Sequence, residues 1–392
     1  MESTKEIKNN SSGFIPDNWK EVTLGDHASV LRGGSPRPIE SYLTKDPDGI
    51  NWIKIGDVGV GAKYINQTEE RIIPEGVSRS RKVFKGDFLL SNSMSFGRPY
   101  ILNVDGCIHD GWLVIQEYYD SFTTDYLYYA LSSQYVLEQY CSMAAGSSVL
   151  NLNKDIVKKV RILVPPKEEQ KKIANALSSI DALIADLNLA IQKKRQIKEG
   201  LMQTFFTGRK CLSGSVEWKE STLGYLADIC KGVQFDSDLF TEGGKYPMLN
   251  GGITPSGYSE YYNTEAETIT ISEGGNSCGY VNYMTEKFWC GGHCYSLKVH
   301  SSVDKLFLYQ LLKFNEKAIM ALRVGSGLPN VQGKVLSKFP LKYPASIKEQ
   351  RAISEILNKA DQEIMALESQ RDKYSLIKQG MMQELLTGKT RL

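Results

Sequence analysis

Glu169-Gln170-Lys171-Lys172-Ile173-Ala174-Asn175-Ala176-Leu177 opens a run that returns 180 residues later as Glu349-Gln350-Arg351-Ala352-Ile353-Ser354-Glu355-Ile356-Leu357. From Glu169 to Arg209 the two copies align without a gap and agree at 15 of 41 positions. Both close alike, on Gly200-Leu201-Met202-Gln203 with Thr207-Gly208 and on Gly380-Met381-Met382-Gln383 with Thr387-Gly388. Self-similarity of this length marks one folding unit used twice. In the first copy Ile173, Leu177, Ile180, Ile184, Leu187 and Ile191 alternate spacings of four and three, and Ile353, Leu357, Ile364 and Leu367 keep that register in the second. The period predicts a coiled-coil seam on each of two long helices, with Gly208 and Gly388 placed for left-handed caps.

About 38 helical residues at 1.5 Å each make a rod of roughly 55 Å, far longer than a small domain needs. A compact domain brings its ends together, so the second helix is expected to run back antiparallel along the first. Gly200 and Gly380 stand inside these helices, where glycine costs about 1 kcal/mol relative to alanine. They reserve a point of close approach, for a partner protein or for a helix crossing.

Outward from the helices the match continues. Asp125-Tyr126-Leu127 answers Asp304-Lys305-Leu306, Gly146-Ser147 answers Gly325-Ser326, Asn151 answers Asn330 and Pro165 answers Pro344, all at an offset of 179. At the front, Trp19-Lys20-Glu21 and Thr23-Leu24-Gly25 answer Trp218-Lys219-Glu220 and Thr222-Leu223-Gly224 at an offset of 199, so the first copy carries about 20 extra residues in its middle. Short β-rich runs such as Asn51–Ile55 and Thr268–Ile271 alternate with Gly, Ser, Asn and Pro turns. A capped helix is expected near Thr123-Thr124-Asp125 and near Ser301-Ser302. The expected fold is α+β, with two β-rich globular domains related by pseudo-twofold symmetry and separated by an antiparallel two-helix coiled coil. Its parts are a tail over 1–12, a domain over 13–165, a helix over 166–208, a domain over 209–343 and a helix over 344–392.

The composition, 41% hydrophobic and 23% charged over 392 residues with a net charge of +2, is that of an ordinary globular protein. Charge is uneven, though. Arg71, Arg79, Arg81, Lys82, Lys85 and Arg98 face only Glu75 and Asp87 between 71 and 98, whereas 215–345 balances 12 basic against 13 acidic residues. A basic patch attracts phosphate. The polar start Met1–Phe14 lacks the apolar core of a signal peptide, and no run approaches the roughly 18 apolar residues of a membrane span. Seven scattered cysteines, an odd number, read as reduced thiols in a cytoplasmic protein.

Several chemistries are missing. There is no glycine-rich cofactor loop and no Asn-Pro-Pro-Tyr-like run for adenine methylation. Gly388-Lys389-Thr390 lacks the upstream glycine of a phosphate loop, because Gln383 stands there. Cys290-Gly291-Gly292-His293-Cys294 with Cys278 is spaced too irregularly for a zinc site, so neither catalytic nor metal-binding residues are assigned.

The chain resembles the specificity subunit of type I restriction-modification systems. The likeness rests on Trp19…Leu24-Gly25, Lys85-Gly86-Asp87-Phe88-Leu89-Leu90, and Gly146-Ser147-Ser148…Asn151…Ile156…Ile162-Leu163-Val164-Pro165-Pro166…Glu169-Gln170…Ile173, closed by Met202 to Gly208. The second half repeats the unit, with Pro344-Ala345-Ser346 in place of a Pro-Pro pair, and adds Tyr246-Pro247-Met248-Leu249-Asn250-Gly251-Gly252. The resemblance implies a non-catalytic subunit whose two domains each read half of a split site in double-stranded DNA. Two methyltransferase subunits would dock along the helices, and motor-nuclease subunits would join them. S-adenosylmethionine would belong to the methyltransferase and no cofactor to this chain; no membrane is implied. Because the domains differ, the site should be asymmetric.

Asn and Arg pair bidentately with adenine and guanine, while Ser and backbone amides suit phosphate. On that chemistry the candidate DNA contacts are Arg79, Arg81, Lys82, Ser91, Asn92, Ser93, Ser95 and Arg98 in the first domain. In the second they are Ser272, Gly274, Gly275, Asn276, Ser277 and His293. The rival from another class is a coiled-coil scaffold whose domains, rich in the chain's 21 tyrosines, hold proteins or glycans.

Overall fold

The computed structural model describes residues 9–10, 13–59, 61–92, 96–144, 152–212, 214, 216–235, 241, 243–325, 327 and 329–392. Two compact units emerge: Met1–Asp186 together with Arg371–Leu392, and Leu187–Gln370. The long helices, Lys167–Phe206 and Ile347–Leu385, each contribute to both units.

In the first unit a five-stranded sheet runs Ser29–Arg32, Trp112–Gln116, Phe88–Ser91, Pro99–Leu102, Tyr64–Ile65. Successive strand side chains point to opposite faces, and here both faces are apolar. Phe88, Leu90, Ile101, Leu113 and Ile115 enter the core shared with the helices, while Leu89, Tyr100, Leu102, Trp112 and Val114 enter another. That second core is closed by Ile53, Val83 and Ile108. They come from a second five-stranded sheet, ordered Leu43–Thr44, Glu70–Ile72, Ile50–Ile53, Gly106–Ile108, Arg81–Val83. The second unit has a four-stranded sheet, Ala227–Lys231, Cys294–Val299, Thr268–Ser272, Val281–Met284. Its other sheet, Gly257–Ser259, Tyr246–Leu249, Trp289–Cys290, has three strands among the described residues. The larger second sheet of the first domain accommodates its longer middle.

The repeated residues make repeated contacts. Lys20–Thr23 pairs antiparallel with Arg161–Val164, and Trp218–Thr222 pairs antiparallel with Pro340–Pro344. Leu24 N donates to Val160 O (2.8 Å) and Leu223 N to Phe339 O (2.9 Å). A Cβ at Gly25 would meet Lys158 Cβ at 2.8 Å and one at Gly224 would meet Ser337 Cβ at 3.0 Å, which is why glycine follows leucine in both copies. Gln170, fully buried, accepts from Thr123 N (2.8 Å) and donates to Ser121 O (2.9 Å) and Pro165 O (3.0 Å). Gln350, equally buried, accepts from Asp304 N and donates to Pro344 O, both at 2.8 Å. Each glutamine thus ties its long helix to the start of a domain helix and to the preceding strand.

Within the first unit Glu169 meets Arg391 and Asp181 meets Lys378, so the two helix segments run antiparallel. Within the second, Lys194 meets Glu363 and Lys198 meets Asp361, again antiparallel. Asp181–Lys378 and Asp361–Lys198 are one bond made twice, each partner being the 180-residue equivalent of the other's.

Three expectations are adjusted. The helix expected near Ser301-Ser302 is Lys305–Phe314, capped by Asp304, whose carboxylate accepts from Phe307 N at 2.9 Å; an aspartate at that position satisfies a free helical N–H that the earlier serines do not reach. Ile173, Leu177, Ile353 and Leu357 are buried in the cores of the domains they follow, so the seam's first turns fasten helix to domain. Ile180, Leu187, Ile191 and Ile364 are buried further along, while Ile184 and Leu367 are half-buried. Third, Lys167–Phe206 is the one helix among the described residues apolar and long enough to cross a membrane. Ile173, Ala174 and Leu177 of that helix are core residues and Asp181 is paired, so its apolar character reflects an amphipathic packing face.

Candidate nucleic-acid interface

In the first domain the segment 33–37 and the turn 109–111 meet beside the strand Arg81–Val83. Gly33 N donates to Trp112 O (2.9 Å) and Gly34 N to Ile108 O (3.2 Å), pressing the segment after strand Ser29–Arg32 onto the turn 109–111. A Cβ at Gly33 would lie 2.0 Å from His109 O, so only glycine lets the backbone come this close. From this seat Ser35 Oγ donates to Asp110 Oδ1 (2.9 Å), and Arg37 Nη2 lies 3.3 Å from Asp110 Oδ2. Arg32 Nε donates to Asp110 O and Arg81 Nε to Arg32 O, both at 3.3 Å.

Arg32, Arg37, Arg79 and Arg81 are exposed, and Asp110 is half-buried, bonded by Arg32 and Arg37. The Ser35 hydroxyl, ahead of the nearby His109 and Arg37, holds the Asp110 carboxyl below the ordinary carboxylate range, so it is ionised at neutral pH. An open cleft of about 650 Å³ lies alongside, lined by residues including Arg37, Pro38, Trp52, Lys54 and His109, with Glu40 also on its wall. Lys54 is paired with Glu70 at 2.6 Å. Burial lowers the His109 pKa, so its ring, beside Trp52 and Trp112, is a neutral wall. A net excess of exposed guanidinium beside an open groove is the electrostatic footprint of an anionic polymer.

Of the first domain's candidates, Arg79 stacks over Tyr42 (5.8 Å to the centroid), Lys82 over Phe84 (5.3 Å) and Arg98 over Tyr100 (5.6 Å). All three and Arg81 are exposed. Ser91 and Asn92 are not available as readers in this conformation. Ser91 is fully buried, and Asn92, 8% exposed, donates to Asp110 O at 3.4 Å, because strand Phe88–Ser91 carries both into the sheet's end. Ser93 and Ser95 lie outside the described residues. Sequence reasoning missed Arg32, Ser35, Arg37 and Asp110. The available signal was the turn-rich Gly33-Gly34-Ser35-Pro36-Arg37-Pro38.

In the second domain the flagged segments converge on Gly251. Ser272 Oγ and Ser277 Oγ (2.7 Å) both donate to Gly251 O, and His293 N donates to Asn250 Oδ1 (3.1 Å). Ser272 is buried and so supports the turn rather than offering its hydroxyl outward. Gly275 takes φ +80° with its N–H on Pro329 O (3.0 Å), and Gly274 bridges to Asn330. Asn276 and His293 are exposed. Glu273 accepts from Lys231 (2.9 Å) and Tyr295 (2.8 Å), and its second oxygen lies 4.0 Å from His293 Nδ1. Charge here is balanced. Cys290 and Cys294 are buried free thiols, and among the described residues no group of three or more His, Cys, Asp or Glu is placed to hold a metal. Gly388, at φ +74°, packs on Pro16 and Trp19, as a helix-capping turn.

Two β-rich domains on a repeated helical scaffold, with unlike loop ends, define a duplicated recognition module. The type I restriction modification DNA specificity domain matches residues 16–199 and 215–374, and the chain belongs to that family. It is 24% identical to the type I restriction enzyme MjaVIII specificity subunit of Methanocaldococcus jannaschii, across 96% of this chain and 94% of that one. A putative type I specificity subunit of Mycoplasma pneumoniae is 35% identical over 152 residues, 38% of this chain; against it the chain spans about two fifths (40%) of the relative's length. Among solved structures, the type I S subunit of M. genitalium shares the fold with a TM-score of 0.66 at 21% identity, covering 96% of this chain and 97% of that one.

Proposed function

We propose that this chain is the DNA-recognition subunit of a type I restriction-modification complex, reading an asymmetric, bipartite site with its two domains and catalysing nothing itself. The observation that carries this reading is a scaffold whose main bonds recur, from Gln170 and Gln350 to Asp181–Lys378 and Asp361–Lys198, under two unlike loop ends. Two readers on one face of B-DNA sit about 34 Å apart or a multiple of it. Helices of 40 and 39 residues, about 60 Å each, are long enough to set such a spacing and leave unread base pairs between the halves.

Two methyltransferase subunits would dock on the helices and bring S-adenosylmethionine, with motor-nuclease subunits joining that core in the cytoplasm. A Cβ at Gly200 or Gly380 would meet nothing within 4 Å, so no helix crossing requires glycine there. One turn earlier on each helix Ile197 and Ile377 are 57% and 40% exposed. Glycine with a neighbouring exposed isoleucine on each helix suits close approach by another protein. The chain alone would hold DNA weakly, since few phosphates are neutralised.

Methylome sequencing of cells with and without the gene tests the reading. A split, asymmetric methylated motif should vanish on deletion, and an unchanged methylome would overturn it. Gly200→Leu and Gly380→Leu should leave the fold intact and weaken copurification with the methyltransferase at least tenfold; undiminished assembly would remove these glycines from the docking surface.

A further inference from the structure

We infer that Arg37 reads a guanine of the first half-site, held for that task by Asp110. The inference rests on the proposed role in DNA recognition and assigns the first domain's specificity to the loop 33–38.

Arg37 sits on a loop whose position is over-determined by the two amide bonds of Gly33 and Gly34 and by the Ser35–Asp110 bond. Its side chain is 79% exposed, yet one nitrogen, Nη2, is held 3.3 Å from Asp110 Oδ2. A guanidinium carries five donors in a planar fork. With one nitrogen tethered to the carboxylate at a single point, the other N–H groups stay free, and a fork of them matches the O6 and N7 acceptors that guanine alone presents together in the major groove. Asp110 also decides between base and backbone. A carboxylate in contact with Arg37 offsets its charge and repels a phosphate, while it repels the uncharged edge of a base far less. Arg32 and Arg81 reach Asp110 or each other only through backbone carbonyls, keep their full charge and suit the flanking phosphates. Asp110 is therefore a positioning residue, and Arg37 the reader.

The test uses the assembled methyltransferase complex on a library of duplexes randomised across the wild-type motif, read by methylation sequencing. Arg37→Ala should lower the preference for one guanine in one half-site about tenfold to a hundredfold and leave the other half-site's preferences unchanged. Arg37→Lys, which keeps the charge and loses the fork, should lose most of the same preference, and Asp110→Asn should relax it less. The unchanged half-site reports that each variant folds and assembles. A uniform fall across all sequences, full rescue by Arg37→Lys, or a first half-site without guanine overturns the inference while the recognition role stands. A wild-type complex that marks no split motif overturns the role itself.

Discussion

The loop ends of the two domains differ in how they handle charge and close packing. In the first domain exposed Arg32 and Arg37 both bond Asp110, exposed Arg81 bonds Arg32 in turn, and the loop that carries Arg37 lies so close to its neighbour that a Cβ at Gly33 would be 2.0 Å from His109 O. In the second, Lys231 and His293 are set against Glu273, and a Cβ at Gly274 would meet only His293 Nδ1, at 3.7 Å. Beneath them the supporting bonds are nearly the same. The scaffold holds geometry constant, and each loop end is free to acquire its own electrostatics.

The largest expected effect breaks the shared part. Gln170→Ala leaves three backbone groups, one buried and two partly buried, without their partner, and an unmet buried group costs about 1–3 kcal/mol, so a loss of about 3 kcal/mol is expected in denaturant unfolding. Gln350→Ala should cost less, about 2 kcal/mol or more, because it removes two such bonds. Equal, negligible losses would show that the glutamines do not fasten helix to domain. Next come the glycines. Gly33→Ala should cost about 1–3 kcal/mol by overpacking and abolish modification, whereas Gly274→Ala should stay within about 0.5 kcal/mol; similar melting temperatures for both would contradict the difference in packing.

The smallest effect sharpens the contrast between Glu169 and its equivalent Glu349. Glu169 accepts two bonds from Arg391 and one from Trp19, and Arg391 above all holds its carboxyl below the usual 4.5. Its folded pKa is depressed, so the stability it supplies is present above about pH 4.5 and is lost as pH falls through the folded value. Glu349 accepts instead from the backbone N–H of Leu212. Arg391→Ala, removing a half-exposed guanidinium, should lower stability only slightly at pH 7 and flatten the acid limb of the stability profile below about pH 4.5. An unaltered limb would mean that the pair is thermodynamically idle.

Much of the architecture was legible in the chain. The 180-residue repeat marked Glu169, Gln170, Asp181 and Lys198 together with their counterparts, and an apolar period of alternating four and three marked the helices. Candidate contacts were legible only as segments. Ser91 and Asn92 have the right chemistry for reading bases, but burial at a strand end uses it internally. Arg37 and Asp110 are 73 residues apart, and no local pattern announces that they touch.

The sequence by itself determined that one unit occurs twice, which helices follow it and where they are capped, because periodicity and chain-local capping are properties of neighbouring residues. Only the tertiary structure decided which polar residues face outward. That depends on which loops the sheets bring to one end, and on whether a side chain's hydrogen bonds are already met by backbone far away in the chain.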